Sequence, residues 1–206
     1  MRGKERMKIG IDIDGVILDF ASKFLEYYNK KHKKNISIED WITYNFWEFI
    51  SISEEDGKKL MEDFYFLDSF DEIPFIEGSK EAIHKLAKQN QIYIITARPL
   101  RWGEKTKNFF DKHFLETDIR LIHSRDEKDK TIYKREICTK LGVSILIEDN
   151  GIIAMQCVEK QIIVLLLNNP WNQGIEHKNI FRVKNWNEIL NKINELNKLN
   201  NLEIKN

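Results

Sequence analysis

The residues best placed to do chemistry lie near the start of the chain, in the run Ile9-Gly10-Ile11-Asp12-Ile13-Asp14-Gly15-Val16. Ile9, Ile11 and Ile13 read as one face of a buried strand. Asp12 and Asp14 fall on the other face, at the strand's C-terminal end, where open α/β sheets place their reactive groups. Gly15 then lets the backbone turn sharply. Two carboxylates so close together are costly to bury unless something uses them. The pattern predicts a magnesium-assisted phosphoryl-transfer site with one aspartate as nucleophile.

Three further features fall where strands end or helices begin. Thr96 closes the apolar run Ile92-Tyr93-Ile94-Ile95, with Ala97 and Arg98 behind it. A lysine stands near the start of a helix expected from Thr131 to Leu141; it is Lys134 or, one turn earlier, Lys130. Glu148-Asp149-Asn150 ends the run Ser144-Ile145-Leu146-Ile147. These groups complete one chemical set. A carboxylate attacks phosphorus, while Asp14 protonates the leaving oxygen and later activates water. A hydroxyl and an ammonium hold the phosphate oxygens. A further acidic residue holds magnesium, which prefers oxygen ligands and keeps some of its waters. Arg98 reads either as a surface ion pair or as a contact to phosphate or to a covering segment. The histidines are scattered and none is assigned to a metal; His123, at a strand end, is the one to watch.

Positioning these groups requires a sheet. Strands at Ile92–Thr96, Ile119–His123, Ser144–Glu148 and Ile162–Leu167 alternate with helices at Ser79–Lys88, capped by Ser79, and at Gly103–Phe114, Thr131–Leu141 and Ile152–Lys160, and a helix from Trp186 to about Leu199 closes the chain. That alternation predicts an α/β fold, a doubly wound parallel sheet with right-handed crossovers. Asp19 to about Lys31 reads as an amphipathic helix with Phe20, Phe24, Leu25 and Tyr28 on one stripe. From Asn35 to about Phe70 the chain is dense in aromatic residues and lacks an obvious buried strand. Ser53 is placed to cap a helix running to about Leu67. Residues 18–74 are therefore expected to form a small helical cap inserted after the first strand, and 1–17 with 75–206 the core. Single cap aromatics suit a packed interior, but their density predicts that one or two of them, Trp41, Phe46 or Trp47, line the site.

Composition narrows the function. The chain has 206 residues, with 33 Lys+Arg against 33 Asp+Glu. Zero net charge removes the bulk electrostatic argument for nucleic acid or membrane as partner. The basic run Lys30 to Lys34 reads as a solvated helix end. Cys138 and Cys157 have neither metal spacing nor a disulfide framework, and are expected as buried thiols in a reducing cytoplasm. No apolar run reaches membrane-spanning length, and Met1 to Lys8 is too short and polar for a signal peptide. The oligomeric state is open, a homodimer included.

In this order the four motifs resemble the haloacid dehalogenase superfamily of phosphatases, over most of the chain. The resemblance implies a sheet that brings Asp12, Thr96 and Asp149 together. It implies Asp12 as nucleophile, Asp14 as acid/base, Thr96 and Lys134 as phosphate-binding residues, and a magnesium ion held by Asp12, Asp149 and the backbone carbonyl of Asp14. Glu148 is expected to support this set rather than to bind the metal. The match narrows at Asp-x-Asp-Gly-Val-x-x-Asp-Phe, Asp12 to Phe20, which is similar to the 5'(3')-deoxyribonucleotidases and their bacterial relatives. In those enzymes the phenylalanine at the position of Phe20 sits beside the base. The motif Ile-Thr-Ala-Arg, ending at Arg98, departs from the animal enzymes. The resulting expectation is a magnesium-dependent phosphomonoesterase acting on nucleoside monophosphates, with Phe20, Trp47 and Arg98 contacting substrate. A phosphatase of another small ester, such as a sugar phosphate, is the alternative within the class. A phospho-accepting signalling domain is the alternative outside it; such a domain would lack the aromatic insertion and any use for Asp14.

Overall fold

The computed structural model describes residues 6–66, 72–115, 117–126 and 130–203. Six short strands, β1 (Lys8–Ile11), β2 (Gln91–Thr96), β3 (Ile119–His123), β4 (Ile145–Glu148), β5 (Ile163–Leu167) and β6 (Ile180–Val183), form one sheet in the order β3-β2-β1-β4-β5-β6. Every neighbouring pair is parallel. The chain builds outward from β1 in one direction, then from β4 in the other. The reversal lies between β1 and β4, where Ile9 and Ile11 stand opposite Ile145 and Ile147.

Both sheet faces are covered, which is why the strands read as nearly continuous apolar runs. Ile9, Ile11, Ile94, Ile147 and Leu165 share one core with α4 (Ser79–Ala87), α5 (Gly103–His113) and α8 (Trp186–Glu203). Tyr93, Ile95, Leu146, Val164 and Leu166 pack on the opposite face with α6 (Lys134–Leu141) and α7 (Gly151–Val158). Cys138 and Cys157 sit in this second core as free thiols.

After β1 the chain folds into a tight turn. The Gly15 amide donates to Leu18 O at 2.9 Å, the Ile17 and Leu18 amides donate to Ile13 O at 2.8 and 2.9 Å, and the Trp186 indole donates to Val16 O at 2.9 Å. A helical segment follows, with α1 (Phe20–His32), α2 (Phe46–Phe49) and α3 (Glu54–Phe66). Asp19 caps α1 by accepting from the Ser22 amide, and Ser53 accepts from the Asp56 amide at the start of α3. The expected end of α3 near Leu67 lies outside the described residues. Phe24, Phe46 and Phe64 are fully buried, with ring centroids 4.8 Å (Phe24–Phe46) and 5.5 Å (Phe24–Phe64) apart. Much of the aromatic density thus packs inward, continuous with the core on the Ile9 and Ile11 face of the sheet. The chain leaves and re-enters the sheet domain at adjacent points: Leu18 bridges Phe75, the Asp19 amide donates to Pro74 O and the Ile76 amide to Ile17 O.

Three local expectations change. The helix expected from Thr131 begins at Lys134, because Thr131 pairs with Arg125 and the Ile132 amide donates to Ser124 O, holding this stretch extended. Ser79 does not cap α4; Gly78 does so with φ of 76°, and the buried Ser79 hydroxyl donates to Ile17 O. β6 was not expected at all. It is an edge strand in which Arg182 is exposed and only Val183 is buried, so its alternation is weak.

Candidate active site

The acidic residues meet where the strand order reverses, at the carboxyl ends of β1 and β4. Asp12 follows β1 directly, and its amide donates to Ile147 O at 3.0 Å, tying the two strand ends together. Glu148 ends β4; Asp149 follows, and Asn150 caps α7 by accepting from the amides of Ile152 and Ile153. Lys134, the first residue of α6, reaches in from the side. Its Nζ donates to Asp12 Oδ1 at 2.6 Å and to Glu148 Oε2 at 2.8 Å. Glu148 Oε1 accepts the amides of Asp149 and Asn150, both at 3.1 Å. Lys130, the other candidate lysine, is exposed.

Asp12, Glu148 and Asp149 each bring a carboxylate oxygen within 4.8 Å of the other two. All three are buried, with one buried ammonium among them. Burial raises Asp12 to about 7; the Lys134 charge opposes this, and Glu148 and Asp14 add to it. Asp149 is held well above the usual carboxylate range by burial and then by Glu148 and Asp12. Burial alone would lower Lys134, yet Asp12 and Glu148 hold it well above its ordinary value. Asp149 Oδ1 is buried and accepts no hydrogen bond. Excess negative charge in a dry site, with one carboxylate oxygen left over, suits a hard divalent cation with oxygen ligands. Asp12 and Asp149 are free to offer oxygens, whereas both oxygens of Glu148 are already engaged.

Asp14 faces the other way. Arg98 donates to it twice, Nε to Oδ2 at 2.7 Å and Nη2 to Oδ1 at 2.6 Å. This fork fixes both the position and the orientation of the carboxylate. The Arg98 guanidinium also lies 5.8 Å from the Tyr65 ring centroid, so a residue of α3 roofs the pair. Burial, and then the Asp14 charge, push the Tyr65 hydroxyl above its ordinary value. Glu62 of α3 pairs with Arg101 across the same boundary.

Between this floor and the helical segment lies a cavity of about 370 Å³. Asp12, Asp14, Lys134, Asp149 and Arg98 line it from below, and Phe20 and Trp47 from above. Trp47 packs on Gly57 of α3, and Phe20 stacks on Phe24 with centroids 5.7 Å apart. Thr96 stands apart from the other expected residues. It is 1% exposed, and its Oγ1 accepts the Arg98 amide at 3.1 Å beneath the cavity. His123 contacts the carbonyl of Arg98 through Nδ1 and, among the described residues, pairs with no carboxylate. Sequence reading missed Tyr44, Tyr65, Trp102 and Trp171, all of which line the cavity. The only sequence signal for Tyr44 and Tyr65 was aromatic density, and for Trp102 and Trp171 not even that.

The sheet order, the helical segment after β1 and the acidic set at the reversal define a haloacid dehalogenase-like fold. A haloacid dehalogenase-like hydrolase of Streptococcus pneumoniae superposes with a TM-score of 0.65 at 15% identity, covering 91% of this chain and 98% of that one. The YfnB protein of Bacillus subtilis, solved bound to magnesium, superposes with a TM-score of 0.59 at 13% identity, covering 93% and 100%. The chain belongs to the 5' nucleotidase, deoxy (pyrimidine), cytosolic type C family, whose profile matches residues 6–199, and is a phosphoric monoester hydrolase of nucleotidase type. A nucleotidase of Clostridium acetobutylicum is 28% identical over 193 residues, 93% of this chain and 96% of the relative.

Proposed function

We propose that the protein is a magnesium-dependent 5'-nucleotidase that hydrolyses (deoxy)nucleoside monophosphates through an aspartyl-phosphate on Asp12. The observation that carries this reading is the junction, in one cavity of about 370 Å³, of the Asp12–Lys134–Asp149 floor with aromatic walls from α1 and the α2–α3 segment. A volume of this size suits a small ligand with a flat apolar part and one anionic end. The family's name and that of the clostridial relative point to the same substrate class.

The Asp12 carboxylate attacks phosphorus as the ester P–O bond breaks, and Asp14 gives the departing oxygen its proton. Asp14 then takes a proton from the water that attacks phospho-Asp12, releasing inorganic phosphate and restoring the Asp12 carboxylate. Lys134, already 2.6 Å from Asp12, balances the charge of nucleophile and phosphoryl group. The phosphate-binding role expected of Thr96 is indirect in this reading: its side chain is buried outside the cavity lining and holds the Arg98 amide. Asp12, Asp149 and the carbonyl of Asp14 would hold magnesium, which when bound supplies charge neutralisation at the phosphoryl oxygens. In this reading residues 18–74 are the cap over a core of 1–17 and 75–206. The cap excludes bulk water and presents Phe20 and Trp47 to the base. Among the described residues no helix is long and apolar enough to cross a membrane. The two free thiols suit a reducing cytoplasm, where we place the protein.

The test is phosphate release by purified protein from nucleoside monophosphates and sugar phosphates, with magnesium and with chelator. Magnesium-dependent turnover favouring nucleotides is expected. Preference for sugar phosphates over every nucleotide, or full activity in chelator, would overturn the reading.

A further inference from the structure

We infer that Trp171 makes Asp149 a one-oxygen metal ligand and thereby sets a preference for magnesium over calcium; the inference rests on the magnesium reading above. The two oxygens of Asp149 are unequal. Oδ2 accepts the Trp171 indole N–H at 3.1 Å, while Oδ1 is buried with no donor. An indole nitrogen only donates, so it can neither join the coordination nor accept from a metal-bound water. It therefore assigns one oxygen to the protein and leaves the other for a cation.

The loop that carries Trp171 is built to stay in place. It forms a short turn, Pro170–Asn172, after β5. The Asn172 side-chain amide donates to Asp149 O and to Leu167 O, both at 2.7 Å. Arg182 of β6 donates in turn to Asn172 Oδ1 at 2.7 Å and to Asn172 O at 2.9 Å. The Trp171 ring lies against Trp41 of the helical segment, centroids 5.5 Å apart. The indole is thus restrained by β6 on one side and by the helical segment on the other, while Asn172 holds the backbone of Asp149 itself.

This restraint separates two cations that oxygen ligands otherwise bind alike. Magnesium takes six ligands in tight octahedral geometry, where a carboxylate serves through one oxygen; calcium takes more ligands at longer distances and readily uses both. A two-oxygen grip on calcium would pull Asp149 Oδ2 from the indole and leave a half-buried N–H without this partner. One-oxygen ligation of magnesium leaves that bond intact.

Trp171→Phe removes the donor and keeps a ring against Trp41. The experiment measures Kd for magnesium alone and calcium alone by calorimetry on chelator-stripped wild type and variant, with thermal unfolding of the stripped proteins as the check on folding. Magnesium binding should weaken by about 10–100-fold, the usual cost of losing such a supporting bond, while calcium weakens by less than about threefold, so that the magnesium/calcium ratio collapses. A magnesium affinity within about twofold of wild type, or equal losses for both ions, would overturn the inference while leaving the magnesium reading standing. Wild-type protein that binds no magnesium would overturn both. If Trp171→Phe does not fold, Arg182→Met, on an exposed edge strand, releases Asn172 instead. It should give a smaller loss of the same selectivity, and an unchanged ratio would overturn the inference.

Discussion

Gly15 lies so close to the carboxylate of Asp149 that a β-carbon at residue 15 would overlap Asp149 Oδ2 and stand 2.8 Å from its Cγ. Its φ of +79° also lies in the left-handed region. Two independent demands, backbone and space, therefore meet at this residue. Gly15→Ala should lose about 1–2 kcal/mol of stability from the backbone alone. It should also displace Asp149 and weaken magnesium binding by at least about tenfold, the scale of disturbing a ligand's support. Thermal unfolding and magnesium titration check the two effects separately; unchanged magnesium affinity would show that Asp149 is not a ligand.

Lys134 is buried between Asp12 and Glu148. Lys134→Met would leave two buried carboxylates without their cation, a loss of about 3–5 kcal/mol. Lys130 is exposed, and Lys130→Met should change stability by less than about 0.5 kcal/mol. Turnover should rank the same way. Denaturant unfolding and kcat of both variants decide it, and a reversed ranking in kcat would move the phosphate role to Lys130.

Asp12→Asn keeps the shape of the nucleophile and removes its attacking charge. Turnover should fall by at least about a thousandfold, near the scale of losing a group that makes or breaks bonds. Steady-state phosphate release measures this, and near-normal turnover would end the assignment.

What was legible in the chain was the chemistry that is contiguous. Asp12, Asp14 and Gly15 must be neighbours to form one strand end and turn, and Glu148-Asp149-Asn150 must be neighbours to end β4 and cap α7, so these groups announced themselves. Lys134 was visible as one of two candidates, and packing rather than spacing separates it from Lys130. Trp171, Asn172 and Arg182 were not legible. Trp171 and Asn172 reach Asp149, and Arg182 reaches Asn172, only because β5 runs alongside β4 and β6 alongside β5, and β6 itself carries too weak an alternation to be read. Arg98 was visible but ambiguous, since its partner Asp14 lies 84 positions away and only the β1–β2 pairing brings them together.

Without metal the acidic cluster should make stability depend on pH. Asp12 has a folded value of about 7 against an ordinary 3.8, so between those values the folded chain keeps a proton that the unfolded chain has released. Its contribution to stability is full below the lower value and is lost as pH rises through the upper one. Asp149 shifts in the same direction. Chelator-stripped protein should therefore melt lower at about pH 8 than at about pH 5, and magnesium should flatten the difference by neutralising the cluster. Asp12→Asn should flatten it in part without metal. Melting curves across this range test the claim, and a stripped protein that gains stability toward pH 8 would contradict it.

Phe20 serves two tasks, and a pair of substrates separates them. Its ring stacks on Phe24, meets Phe64 edge-on with centroids 5.4 Å apart, and lies 5.7 Å from Tyr65, yet it also lines the cavity above Asp14. Phe20→Ala therefore opens space in the helical segment and removes a flat face from the cavity wall. Stacking of an aromatic side chain on a base is worth about 1–3 kcal/mol. If Phe20 meets the base, kcat/KM for a nucleoside monophosphate should fall by about tenfold to a hundredfold, since each 1.4 kcal/mol is a factor of ten. The same variant should hydrolyse p-nitrophenyl phosphate at close to the wild-type rate, because that small ester needs the Asp12–Lys134 floor and little of the wall. The measurement is kcat/KM for both substrates in both proteins, with the melting temperature recorded alongside. Equal losses on the two substrates would assign Phe20 to packing alone. A selective loss on the nucleotide, with the fold retained, would place the base against α1 and orient the phosphate toward Asp12.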